Sequence, residues 1–211
     1  MSIISIENVN KSFKKTVLFK NINLEIEEGK IYGIVGPNGS GKSVLFKMMC
    51  GFVFPDKGHV FIKGLEIGKN NRFPENFGII IDRPGYIANK SGFQNLKELS
   101  LIRNKIDDKK IIETMEVVGL EPKSDQKTKN YSLGMKQKLA ICQAIMEDQQ
   151  VLILDEPFNA LDIASVKRIR NLLLKFKEEG RTILITSHNQ EDINICDHVY
   201  QINQCILEQI R

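Results

Sequence analysis

A chain of 211 residues with 42% hydrophobic and 27% charged side chains is ordinary for a soluble globular protein, long enough for one sizeable domain or one domain plus a small subdomain. Its 30 basic and 26 acidic side chains leave a net charge of +4, too balanced to argue for nucleic acid. The lysines at Lys123, Lys127, Lys129, Lys136 and Lys138 read as a solvated face. The scattered Cys50, Cys142, Cys196 and Cys205 form no CxxC pair, so free thiols in a reducing cytoplasm are expected. The first residues lack the pattern of a signal peptide, and no apolar run approaches the about 20 residues that cross a bilayer.

Ile3 to Val9 alternates apolar and polar residues as a half-buried strand does, Lys14-Lys15 marks a turn, and Val17 to Ile26 repeats the strand pattern. Ile31 to Val35 is a short apolar run feeding Gly36, as a buried strand feeds a loop. Ser43 to Cys50 has helical spacing and stops at Gly51. Pro55 to Gly58 reads as a turn and His59 to Ile62 as a strand. After Asp82 the pattern turns helical, over Leu96–Arg103, Lys109–Val118 and Met135–Met146. Val151–Leu154 is again a fully apolar strand. Ile163–Lys177 is an amphipathic helix, Thr182–Thr186 a buried strand, and His198–Ile202 with Cys205–Glu208 a terminal hairpin. Strands alternating with helices imply an α/β core with a mostly parallel sheet. Residues from about 84 to 146 read as a helical subdomain inserted in a core of about 1–83 and 147–211.

Gly36-Pro37-Asn38-Gly39-Ser40-Gly41-Lys42-Ser43 fits G-x-x-x-x-G-K-[ST] at every fixed position, between a buried strand and a helix. Glycines let such a loop curl so that its N–H groups point at phosphate oxygens, and the helix N-terminus adds partial positive charge. Lys42 then reaches the β- and γ-phosphates of ATP, and the Ser43 hydroxyl is placed to hold Mg²⁺. Val44 continues this binding segment into the helix.

Asp155 and Glu156 end the apolar strand, on the edge where open α/β sheets bind ligands. An acidic pair there is by itself a solvated loop start; a phosphate loop in the same chain changes that reading. Asp155 is then positioned for Mg²⁺ and Glu156 for orienting or deprotonating the attacking water. His188, just past another buried strand, lies where a γ-phosphate needs a hydrogen-bond donor.

These motifs resemble one family, the nucleotide-binding domains of ABC (ATP-binding cassette) transporters. Tyr131-Ser132-Leu133-Gly134-Met135-Lys136-Gln137 resembles the family's signature segment, Asn159-Ala160-Leu161-Asp162 its D-loop and Ser187-His188 its switch-histidine loop. The resemblance runs from about Ile3 to about Tyr200. It implies a P-loop NTPase core, an N-terminal antiparallel β subdomain and the inserted helical subdomain as parts of one ATPase domain. It also implies a head-to-tail homodimer or pseudo-dimer in which Ser132 and Gly134 contact the partner's ATP, and Phe13 at the position that stacks on adenine. A separate transmembrane permease, contacted around Asp82 to Tyr86, would hold the protein on the cytoplasmic face of the membrane. No nucleic-acid partner is implied.

Two positions depart from the family pattern. Asp82 stands where a glutamine normally coordinates Mg²⁺ and the attacking water; aspartate can still bind the ion or its waters, but it is shorter and adds charge beside Asp155 and Glu156, so its position must adapt. The signature reads Ser-Leu-Gly-Met in place of Ser-Gly-Gly-Gln. Both features are similar to the exporters of bacitracin resistance and lantibiotic self-protection, which carry an acidic residue, usually Glu, at the glutamine position. Two other readings keep the fold: an ABC protein acting on ribosomes or DNA, and a slow or non-hydrolysing nucleotide sensor. The single cassette and the absence of long coiled coils weigh against the first. Glu156 and His188 weigh against the second, whose support is Asp82.

Overall fold

The computed structural model describes residues 2–14, 16–68, 74–82, 85–187 and 189–211. In chain order the elements begin with β1 (Ser2–Phe13), β2 (Thr16–Glu27), β3 (Ile31–Val35) and α1 (Lys42–Met49). Next come β4 (Lys57–Ile62), β5 (Leu65–Glu66), β6 (Phe77–Ile80), α2 (Gly92–Arg103), α3 (Asp108–Val118) and α4 (Leu133–Ile145). The last are β7 (Val151–Leu154), α5 (Ile163–Glu178), β8 (Thr182–Thr186), α6 (Gln190–Ile193), β9 (His198–Asn203) and β10 (Ile206–Gln209). They make an antiparallel sheet in the order β2-β1-β4-β5 and a second sheet in the order β10-β9-β3-β8-β7-β6. The second sheet is parallel from β9 to β6, and β10 adds an antiparallel edge. The mixed α/β architecture with an antiparallel N-terminal sheet matches the expected class.

Strand alternation explains the layering. In β7, Val151 and Ile153 join the apolar cluster formed with the antiparallel sheet and α1, whereas Leu152 and Leu154 join the cluster under α3, α4 and α5. In β8, Leu184 points to the first cluster and Ile183 and Ile185 to the second. A period of two with both faces covered produces the continuous apolar runs seen in the sequence. Each such side chain contributes about 1.5–3 kcal/mol when fully buried. Burial also raises the Cys50 and Cys196 thiols to about 12, and the Cys142 thiol further, and these free cysteines pack in the apolar core.

The structure departs from the sequence reading in identifiable places. Helix α2 starts at Gly92, four residues early, because Ser91 and Gln94 form a capping box: Ser91 Oγ accepts from Gln94 N at 3.3 Å, and the Gln94 side chain accepts from Ser91 N at 2.9 Å. Lys57 and Gly58 belong to β4 instead of a turn. Gly58 has φ 85, where the β1–β4 register shifts between Glu7 and Asn10, and a Cβ there would lie 2.4 Å from Glu7 O. β5, β6 and α6 carry no period long enough to read. Among the described residues no helix is long and apolar enough to cross a membrane.

Two contacts fix the frame around the strand ends. A Cβ at Gly78 of β6 would sit 1.9 Å from Ala144 O, so α4 lies directly on that strand. The Asp197 carboxylate accepts from Ile31 N at 2.8 Å and from Lys177 Nζ, while Asp197 N donates to Ile31 O at 2.7 Å, tying the starts of β3 and β9. Burial pushes this carboxyl up, but the Ile31 N–H and the Lys177 ammonium outweigh it and hold its pKa below the usual carboxylate range.

Gly78→Ala is expected to cost about 1–3 kcal/mol or more through overpacking, read from the denaturant midpoint. Asp197→Asn is expected to destabilise the protein at neutral pH. Because the folded-state pKa is the lower one, the wild-type advantage should be present above the unfolded carboxylate value of about 3.9 and disappear as pH falls through the folded value. Melting curves of both proteins from acid to neutral pH would show the gap closing on the acid side; a constant gap would contradict the assignment.

Candidate functional site

The loop between β3 and α1 has a backbone that side chains would obstruct. Gly36 and Gly41 have φ 152 and 104, and a Cβ at Gly41 would lie 2.8 Å from the Phe19 ring. Helix α1 starts at Lys42 with neither a side-chain cap nor an acidic residue in its first turn, so its N-terminal dipole faces the loop uncompensated. The Lys42 side chain is buried, and its ammonium donates to Gly36 O at 2.8 Å and Pro37 O at 3.2 Å. Pro37, Asn38, Gly39 and Ser40 complete the turn.

Three element ends converge beside this loop. Ser43 Oγ of α1 donates to Asp155 Oδ2 at 2.5 Å, and Thr186 Oγ1 of β8 donates to Asp155 Oδ1 at 2.6 Å. The same Thr186 oxygen accepts from Glu156 N at 2.8 Å, so one hydroxyl links both acidic residues. Glu156 has φ 50, a left-handed conformation uncommon outside glycine and held by its surroundings. On its other side, Gln137 Nε2 of α4 donates to Glu156 O at 3.3 Å and Pro157 O at 3.0 Å. A cavity of about 280 Å³ is lined by Leu18, Asn38, Gly39, Gly41, Lys42, Ser43, Val44, Asp155 and Glu156. Basic, hydroxyl and carboxylate groups around a helix N-terminus are a donor set for a polyphosphate and a hard divalent cation.

Phe13, Ser132, Gly134 and Asp82 lie outside that cavity. Phe13 is exposed at the β1–β2 hairpin with Lys11 Nζ 5.0 Å from its ring centroid. Ser132 caps α4, its hydroxyl accepting from Met135 N at 3.1 Å. Gly134 meets the 159–162 segment so closely that a Cβ would sit 2.8 Å from Ala160 O. Asp82 pairs with Lys47 of α1 at 2.5 Å and lines a separate groove of about 500 Å³ with Tyr86, Leu133, Lys136, Gln137, Asn159 and Ala160. His188 lies outside the described residues. Thr186, Gln137 and Lys47 escaped the sequence reading. Gln137 closes the signature segment without a role assigned to it there, and Thr186 is a polar residue at the end of a fully buried strand.

The model of the family described as ABC transporter matches residues 19–159. The uncharacterized ABC transporter ATP-binding protein YybJ of Bacillus subtilis (strain 168) is 41% identical, the match covering 98% of this chain and 95% of the relative. The bacitracin transport ATP-binding protein BcrA of Enterococcus faecalis is 39% identical over 90% of this chain and 63% of its own length. Among solved structures, the dimeric structure of MJ0796, a bacterial ABC transporter cassette, superposes with a TM-score of 0.86 at 25% identity, covering 99% of each chain. The chain belongs to the ABC transporter family, as one of its ATP-binding, ATP-hydrolysing subunits.

Thr186→Val, equal in shape but without the hydroxyl, is expected to lower stability by about 1–3 kcal/mol because it strips partners from Asp155 Oδ1 and Glu156 N. Thr186→Ser should recover most of that. Equal unfolding midpoints for the wild type and the valine variant would show that the bridge carries no stability.

Proposed function

We propose that two copies of this chain close head to tail over two ATP molecules and use their hydrolysis to drive a separate transmembrane permease that exports a peptide antibiotic or similar amphiphile. The observation that carries this reading is the hydroxyl-linked pair Asp155 and Glu156, tied to the phosphate loop through Ser43 and to β8 through Thr186. The export of a peptide antibiotic is inferred from the bacitracin relative named above and from the Ser132-Leu133-Gly134-Met135-Lys136-Gln137 segment.

In this reading the N–H groups of Gly36 to Val44 and the Lys42 ammonium bind the β- and γ-phosphates, and Phe13 stacks on adenine. Ser43 and Asp155 are hard oxygen donors suited to Mg²⁺, with Asp82 as a further candidate ligand. Held by these oxygens, such an ion would supply positive charge to offset the negative charge developing on the phosphates. Glu156 orients the attacking water and takes its proton, with its backbone held on both sides by Thr186 and Gln137. His188 hydrogen-bonds the γ-phosphate. Ser132 and Gly134 serve the nucleotide of the partner copy, whose phosphate faces the N-terminus of α4. Residues 84–146 act as the helical subdomain, with the core formed by 1–83 and 147–211. The subunit sits on the cytoplasmic face of the membrane through the permease.

Glu156→Gln is expected to reduce ATP turnover about 100-fold or more while leaving ATP binding intact, and to accumulate an ATP-bound dimer on size-exclusion chromatography. Purified wild type with no turnover above background, together with a variant that stays monomeric in ATP, would remove the proposal.

A further inference from the structure

We propose that Lys47 is a positioning residue of the nucleotide site, supplying the counter-charge that holds the Asp82 carboxylate against α1 and screens it from bound phosphates. This rests on the reading of Gly36 to Ser43 as the nucleotide site. Ser43 and Lys47 are four positions apart on α1, so they share one face a turn apart. Ser43 reaches Asp155, and Lys47 Nζ reaches Asp82 Oδ2 at 2.5 Å. Those two acids leave neighbouring parallel strands: Ile80 of β6 pairs with Leu154 of β7, and Asp155 N donates to Ile80 O at 2.7 Å. One face of the phosphate-loop helix is therefore pinned to two adjacent strand ends, by a hydroxyl at one and an ammonium at the other.

The second pin answers a charge problem. Asp155 and Glu156 already place two carboxylates at the site of a polyanion. A third, unmatched carboxylate at Asp82 would repel the nucleotide wherever no metal ion compensates it. Lys47 cancels that charge locally. Asp82 has φ 59, a left-handed conformation that aspartate adopts more readily than most residues. Asp82 and Tyr86 line the same groove along α4, so the pair ties the Asp82 side of that groove to the phosphate-loop helix. A neutral glutamine at position 82 would need no such partner; the acidic residue does.

Calorimetric titration of ATP, with EDTA and with excess Mg²⁺, tests this on the wild type, Lys47→Met, Asp82→Asn and the double variant. Lys47→Met should weaken metal-free ATP binding about three- to tenfold, the size of one unit charge acting over roughly 10 Å in a partly aqueous site. The loss should shrink in excess Mg²⁺. Asp82→Asn should tighten metal-free binding, because it leaves the Lys47 charge unmatched, and the double variant should return to within about twofold of the wild type. Lys47→Arg should retain wild-type binding. If Lys47→Met does not fold, the Asp82→Asn arm still decides the matter: metal-free binding unchanged or weaker there overturns the assignment. A double variant that binds metal-free ATP as weakly as Lys47→Met alone would overturn it too. A wild type that binds no ATP under either condition would instead overturn the nucleotide site itself.

Discussion

The carboxylate of Asp155 has both oxygens engaged by hydroxyls from other elements, Ser43 from α1 and Thr186 from β8. Neutral donors satisfy its lone pairs without cancelling its charge, which an arginine or lysine partner would do. The carboxylate is thereby held in place at a cavity lined by Lys42 and by the N-terminus of α1. The same arrangement sets its neighbour, because the Thr186 oxygen that donates to Asp155 accepts from Glu156 N. Parallel pairing of β3, β8, β7 and β6 delivers these groups to one edge of the sheet, and the clusters on both faces hold that edge rigid.

Legibility in the sequence followed the range of the interactions. β3, β7 and β8 were bounded to the residue, since a strand buried on both faces writes an uninterrupted apolar run. The loop from Gly36 to Ser43 was legible for a related reason: backbone conformations open only to glycine, and a strand and a helix on either side, leave a local signature. β6 was harder, because Gly78 is required by the carbonyl of Ala144 and breaks the apolar period. Helix α6 spans four residues, opened by Asn189, whose side chain accepts from Glu191 N, and no spacing argument reaches so short an element. The partners of the acidic residues were least legible. Ser43 and Asp155 are 112 positions apart, and nothing near Asp82 in the chain points to Lys47.

Helix α4 joins the two halves of the site through backbone contacts more than through charge. Its underside is pressed onto β6 at Gly78, and near its start Gly134 packs on the carbonyl of Ala160, whose own φ is 61. Between them Gln137 holds the carbonyls of Glu156 and Pro157. A rotation of α4 would therefore pull on the Glu156 turn directly. Ser132 stands at the exposed N-terminal end of the same helix, in the position proposed to face the second nucleotide. Ser132 and the Gln137 that holds the Glu156 turn thus stand within the first turns of one helix. Leu133 is exposed beside Ser132, on the surface that the proposed closure of two copies would cover.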